Sequence, residues 1–218
     1  MRIACVGYRD WALNIYDRLA GNSDHVYLIF RSRAQYNEDV LRDFKPDVIL
    51  FYGWSWYVSD QILQDFKCLM LHPSPLPRYR GGSPIQNQII AGEKASKVSI
   101  FLMNGEIDAG DIVAQEYLSL EGSLSDIFTR IEGVGAQLTS SLFESGLDPI
   151  PQDHSKATYC KRRKPEESEI TLDDIKNTKA EYLFNKIRML ADPYPNAFIR
   201  TIDGRRLIIK EAYILEDE

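Results

Sequence analysis

The stretch His72-Pro73-Ser74-Pro75-Leu76-Pro77-Arg78-Tyr79-Arg80-Gly81-Gly82-Ser83-Pro84, followed by the turn Ile107-Asp108-Ala109-Gly110-Asp111, decides how this chain is read. Each proline fixes φ and disfavours helix at the residue before it, so the first half of the stretch is extended. Gly81 and Gly82 free the backbone to turn, and Pro84 suits the first position of a helix. Residues 68–71 before it are apolar and read as a strand, which delivers His72 at its carboxyl end. Residues 84–91 after it read as a helix. A stiff loop carrying one His and two Arg between a strand and a helix is the kind of segment that carries function.

Working outward, residues 2–6, 25–30 and 48–52 read as further buried strands. Residues 8–20, 36–44 and 60–66 read as helices between them. The first carries Trp11, Ile15, Tyr16 and Leu19 on one face, and Ser59 is placed to cap the third. Strands alternating with helices imply βαβ units and a parallel sheet, with the ligand crevice beyond the strands' carboxyl ends. Gly53-Trp54-Ser55-Trp56 and the His72 loop both fall at such ends. Residues 97–103 and 111–118 read as a hairpin, and Ser123 as the cap of a long helix over 124–143. The fold expected is therefore α/β, a Rossmann-like, mostly parallel sheet with helices on both faces. Residues 1–150 form its main domain. Residues 151–218 are a linker and a small α+β extension, with a helix over 178–191 and two short strands around Asp203-Gly204, packed on that domain.

The 218 residues are 44% apolar, enough for a sizeable core, with 26 basic against 32 acidic residues. A net charge of −6 argues against an extended nucleic-acid-binding face. Cys5, Cys68 and Cys160 are widely spaced with no CxxC pair, which suits reduced thiols in a cytoplasmic protein. No apolar run approaches the roughly 20 residues of a membrane span, and no signal peptide is visible. Neither a membrane nor a nucleic acid is expected as partner. The sequence leaves a homodimer open.

A lone His at a strand end is more often structural than chemical. His25 and His154 offer no ligand spacing with His72, so no metal site is expected. Asp108 shifts the balance, because a carboxylate returned to the same rim would let His72 deprotonate an attacking amine and would stabilise the imidazolium formed. Asp111 competes for that role, although a strand-initiating Asp is commonly a cap. Arg31 and Arg33 follow the second strand, where an NADP site can carry an Arg, but the first turn lacks GxGxxG spacing. The run Lys161 to Lys164 reads as a solvated link, with an anion contact as the minority alternative.

HPSPLPRYRGGSPIQ followed by KVSIFLMNGEIDAGDIVAQ resembles the formyltransferase fold shared by methionyl-tRNA, glycinamide-ribonucleotide and nucleotide-sugar N-formyltransferases. KRRKPEESEI and ADPYPNAF extend the likeness into the carboxyl-terminal part. The resemblance implies N10-formyltetrahydrofolate as formyl donor and a primary amine as acceptor. It matches His72 and Asp108 to the family's catalytic pair. The family's Asn two residues before the His is Met70 here, so another donor must meet the oxyanion. Asn104 and Asn87 are the nearest in sequence, and Asn104 is preferred. The resemblance lines the folate pocket with Gly53, Trp54, Ser55, Trp56, Ile100, Met103 and Asn104. It gives the acceptor to Ser74, Arg78, Tyr79, Arg80 and Gly81, with an Arg meeting phosphate. The acceptor expected is a nucleotide-linked amino-dideoxy sugar, as in surface-glycan precursor synthesis. The alternatives are a methionyl-tRNA-type formyltransferase, or a non-catalytic folate- or sugar-nucleotide-binding relative on account of Met70.

Overall fold

Alternation of side chains along β1 (Arg2–Val6) sorts the molecule into two apolar layers. Ile3 and Cys5 enter one, Ala4 and Val6 the other, and all four are fully buried. The computed structural model describes residues 1–192 and 194–215; Pro193, within the 191–198 segment, and residues 216–218 lie outside them. From β1 the chain runs through α1 (Asp10–Gly21), β2 (Val26–Phe30), α2 (Glu38–Phe44), β3 (Val48–Leu50), α3 (Asp60–Asp65) and β4 (Cys68–His72). There follow β5 (Arg80–Gly81), α4 (Pro84–Ile90), β6 (Ala95–Leu102), β7 (Ile112–Ser119) and α5 (Leu124–Ser145). The remainder holds β8 (Tyr159–Cys160), α6 (Leu172–Asn177), α7 (Ala180–Arg188), β9 (Ala197–Arg200) and β10 (Arg206–Ile209).

The central sheet has the order β2-β1-β3-β4-β6-β7, with β1 to β4 mutually parallel. This is the α/β, mostly parallel architecture expected. α1, α4 and α5 bury Ile15, Ile85 and Ile131 in the layer of Ile3, while α2 and α3 bury Leu41 and Ile62 in that of Ala4. β1 is followed by α1 on one face and its neighbour β3 by α3 on the other, so the loops after β1 and β3 part company between these strands. That divergence opens a crevice.

β6 runs antiparallel to β4, pairing Met70 with Phe101 and His72 with Ser99. Its carboxyl end therefore lies beside Leu69, not beside His72. Asp108 reaches His72 because the loop after β6 folds back along the sheet. The extension is joined to the same core: Ile170, Ile187, Met189, Leu190 and Ala197 are buried in the layer of α1 and α5. Lys186 is also buried, its Nζ donating to the Glu169 carbonyl at 2.6 Å and to Asp174 at 3.1 Å.

Candidate active site

β4 directs Leu69 and Leu71 into the α1–α5 layer and therefore turns Met70 and His72 to the other face. His72 is buried, with Nε2 2.8 Å from the Tyr79 carbonyl and Nδ1 3.5 Å from Asp108 Oδ2. A carbonyl oxygen only accepts, so the ring proton belongs on Nε2 and the lone pair on Nδ1. Nδ1 is then the nitrogen that takes up a proton, and the imidazolium N–H it forms faces a carboxylate. Tyr79 and Asp108, which flank the ring, both have left-handed backbones, φ 60° and 50°. Non-glycine residues are held so only where the surroundings enforce it.

The surroundings do enforce it. The Gly81 amide donates to Asp108 Oδ2 at 2.7 Å. Gly81 itself has φ 96°, and a Cβ there would stand 2.5 Å from the Cys160 carbonyl oxygen. At Gly110 a Cβ would lie 1.7 Å from the Leu102 carbonyl oxygen, so the turn presses on β6 as only glycine permits. Gln152 completes the brace. Its Nε2 donates to the carbonyls of Asp108 and Gly110 at 2.9 and 2.7 Å, and its Oε1 accepts from Arg80 at 2.7 Å. Nothing in the sequence singled out Gln152, since an isolated Gln in a polar link carries no pattern.

Most of the acceptor set expected from the sequence makes contacts within the protein. Arg80 is fully buried, donating to Gln152 and the Tyr159 hydroxyl. Arg78 pairs with Glu93 at 2.6 Å, and the Tyr79 hydroxyl donates to the same carboxylate. Ser74 is buried as a loop clip, its Oγ donating to the Arg78 carbonyl and its own carbonyl accepting from Ser99. Of the five, Gly81 alone lines the cavity beside His72.

That cavity, about 560 Å³, is walled by Gly53, Trp54, Ser55, Trp56, Met70, Phe101, Met103 and Asn104, with His72 and Asp108 on its floor. Ile100 is not among them: strand parity sends it into the α1–α5 layer and puts Phe101 on the cavity side. Trp11, expected only as core, also borders the cavity. The Trp54 ring packs 4.7 Å from Trp56 and 5.2 Å from Tyr36. Trp54 is buried, yet its Nε1 has no hydrogen-bond partner among the described residues. Apolar walls with an unpaired donor suit a flat heterocycle with polar edges. Asn104 Oδ1 accepts the Glu106 amide, leaving its Nδ2 uncommitted, whereas Asn87 Nδ2 is engaged by the Gly82, Ser83 and Lys161 carbonyls. A second cavity of about 620 Å³ between α1, β7 and α5 has no His, Cys, Asp or Glu in its lining, and so no acid–base pair. Among the described residues no group of three or more His, Cys, Asp or Glu is placed to hold a metal, and no helix is long and apolar enough to cross a membrane.

Comparison with known proteins follows this geometry. The formyl transferase family model matches residues 17–137. The methionyl-tRNA formyltransferase of Carboxydothermus hydrogenoformans is 31% identical over 210 residues, 91% of this chain and 66% of that protein. That of Moorella thermoacetica is 35% identical over 184 residues, 81% of this chain and 57% of that protein. The chain thus spans less than two thirds of the length of these curated relatives. Among solved structures, a methionyl-tRNA formyltransferase from Clostridium thermocellum superposes with a TM-score of 0.85 at 30% identity, covering 96% of this chain and 97% of that one. A 4-N formyltransferase from Francisella tularensis, at 19% identity and a TM-score of 0.75, covers 100% and 98% and shares the fold. With the family model laid over more than half its length, and His72 and Asp108 side by side on the floor of an aromatic cavity, the chain belongs to the formyl transferase family.

Proposed function

We propose that the chain transfers a formyl group from N10-formyltetrahydrofolate to a primary amine. The observation that carries this is the His72–Asp108 pair on the floor of a cavity walled by Trp54, Trp56 and Phe101. The cavity fits the donor's flat ring, with Trp54 Nε1 as an unpaired donor for its polar edge. A neighbour of the same fold, HypX from Aquifex aeolicus, has been solved with tetrahydrofolic acid. When bound, the donor supplies an electrophilic formyl carbon on nitrogen. His72 Nδ1 takes a proton from the acceptor amine as its nitrogen bonds to that carbon, and Asp108 stabilises the imidazolium. His72 then returns the proton to the departing nitrogen as the old carbon–nitrogen bond breaks. Asn104 Nδ2 is the proposed donor to the oxyanion in the place where Met70 offers none.

For the acceptor, the relatives at 30–35% identity favour methionyl-tRNA over the amino-sugar nucleotide expected from the sequence resemblance. The net charge of −6 keeps the sugar nucleotide as the second reading, because an acidic chain attracts RNA weakly. Transfer of labelled formyl to methionyl-tRNA and to a panel of amino-sugar nucleotides separates them. The expected result is incorporation into one class, abolished by His72→Asn and by Asp108→Asn in folded protein. Donor binding with no transfer to any primary amine would show a non-catalytic relative.

A further inference from the structure

One corner of the cavity has a different chemistry. Arg9, just ahead of α1, and Arg162, from the basic run of the linker, both line it, together with Gln86 and Tyr194. Neither guanidinium has an ion-pair partner among the described residues. Arg9 lies over the rings of Tyr8 and Tyr194, 4.7 and 5.3 Å from their centroids, which orients the cation without neutralising it. Gln86 is only 4% exposed, and its Nε2 is a buried donor whose one approach, to the Tyr194 hydroxyl, falls short of hydrogen-bond geometry. The carboxylates of the cavity, Glu106 and Asp108, belong to the opposite turn. Burial raises the Tyr194 phenol, and Arg9, Gln86 and Arg162 each pull it back, so these side chains share one corner with that hydroxyl. A corner of two cations without ion-pair partners and a buried amide donor that lacks a full hydrogen bond suits an anion.

We propose that Arg9, Arg162 and Gln86 form a phosphoester subsite that seats the acceptor, placing its phosphate at one end of the cavity and its amine at His72. This rests on the formyl-transfer reading and adds to it the acceptor's second handle. Two fixed forks suit the oxygens of a phosphate better than a single carboxylate does. The phosphate can come from a nucleoside diphosphate or from the end of an RNA strand, and the chemistry of the corner is the same for both.

The test is direct binding of inorganic pyrophosphate by calorimetry, which needs no turnover, beside steady-state kinetics. Wild type is expected to bind pyrophosphate, and Arg162→Ala and Arg9→Ala each to weaken that binding about tenfold. The Michaelis constant for the acceptor should rise by a similar factor in both variants, with that for the folate donor unchanged. Gln86→Leu, which keeps the volume, should weaken pyrophosphate binding without altering the fold. Uridine diphosphate and a short oligonucleotide, used as competitors of the acceptor, distinguish the two sources of phosphate. Absence of pyrophosphate binding to wild type overturns the proposal even if formyl transfer is robust. So does a rise in the folate constant alone, which would give the arginines to the donor's carboxylates. If no amine is formylated, the reading of function fails while the binding experiment still decides the subsite.

Discussion

Met70 lines the cavity where the family resemblance implies an amide donor, and a thioether cannot donate, so under the proposed reaction the oxyanion is met from elsewhere in the cavity. Asn104 Nδ2 is the uncommitted amide there, and Asn104→Ala is expected to lower turnover by about 100-fold, the usual cost of one lost oxyanion donor. Met70→Asn should retain or raise activity. Unchanged turnover in Asn104→Ala would pass the role to Trp54 Nε1, the buried donor still unpaired. Gln152 gives a second test at this scale. Gln152→Leu removes the bonds that hold the Asp108 turn and leaves buried Arg80 without its main acceptor. A charged group's hydrogen bond is worth about 1.5–3 kcal/mol, so thermal denaturation should show a loss of that order, with turnover falling further than stability alone explains. Equal turnover per folded molecule would reduce Gln152 to a structural residue. His72 and Asp108 were legible because their loops are dense in proline and glycine. Gln152 and the inward course of Arg80 were not, since a side chain's direction in an irregular loop depends on contacts made far along the chain.

The strands and helices set a second group of expectations, through what they bury. Cys5 on β1 and Cys68 on β4 lie in the two apolar layers, where burial pushes the first thiol far above its ordinary range and the second up to about 12. Cys160 on β8 is half-buried and raised by burial. Only thiolate reacts quickly. Native protein should therefore take up one equivalent of a thiol reagent readily, at Cys160, and three after denaturation. Rapid native labelling of Cys5 would mean that β1 opens. Apart from β5, the elements up to α5 were legible to within a few residues because each carries its own apolar period, helped at α3 and α5 by the caps Ser59 and Ser123. The direction of β6 was not, because an apolar strand reads alike whichever way it runs. The ladder of β5 with β8 was invisible for another reason: each strand has two residues, and they pair across a long separation.

For the molecule as a whole, the boundary near residue 150 is a change of composition and not of packing. Ile170, Ile187, Met189 and Leu190 sit in the same layer as α1 and α5. Burial of a large apolar side chain contributes about 1.5–3 kcal/mol, and a whole domain is stable by about 5–15 kcal/mol. A fragment of residues 1–164 is accordingly expected to lose cooperative melting, followed by circular dichroism against the full chain. A sharp transition near that of the full chain would mark the carboxyl-terminal part as dispensable for folding. The Arg80–Gln152 brace has a further bearing, on recombination. A chimera joining residues 1–150 of this chain to the remainder of a relative would inherit His72 and Asp108 intact but receive whatever side chain the relative has at 152. Shuffled libraries cut at that compositional seam would thus yield folded hybrids silent in formyl transfer, whereas a crossover placed after Cys160 would carry the Asp108 turn and its support together.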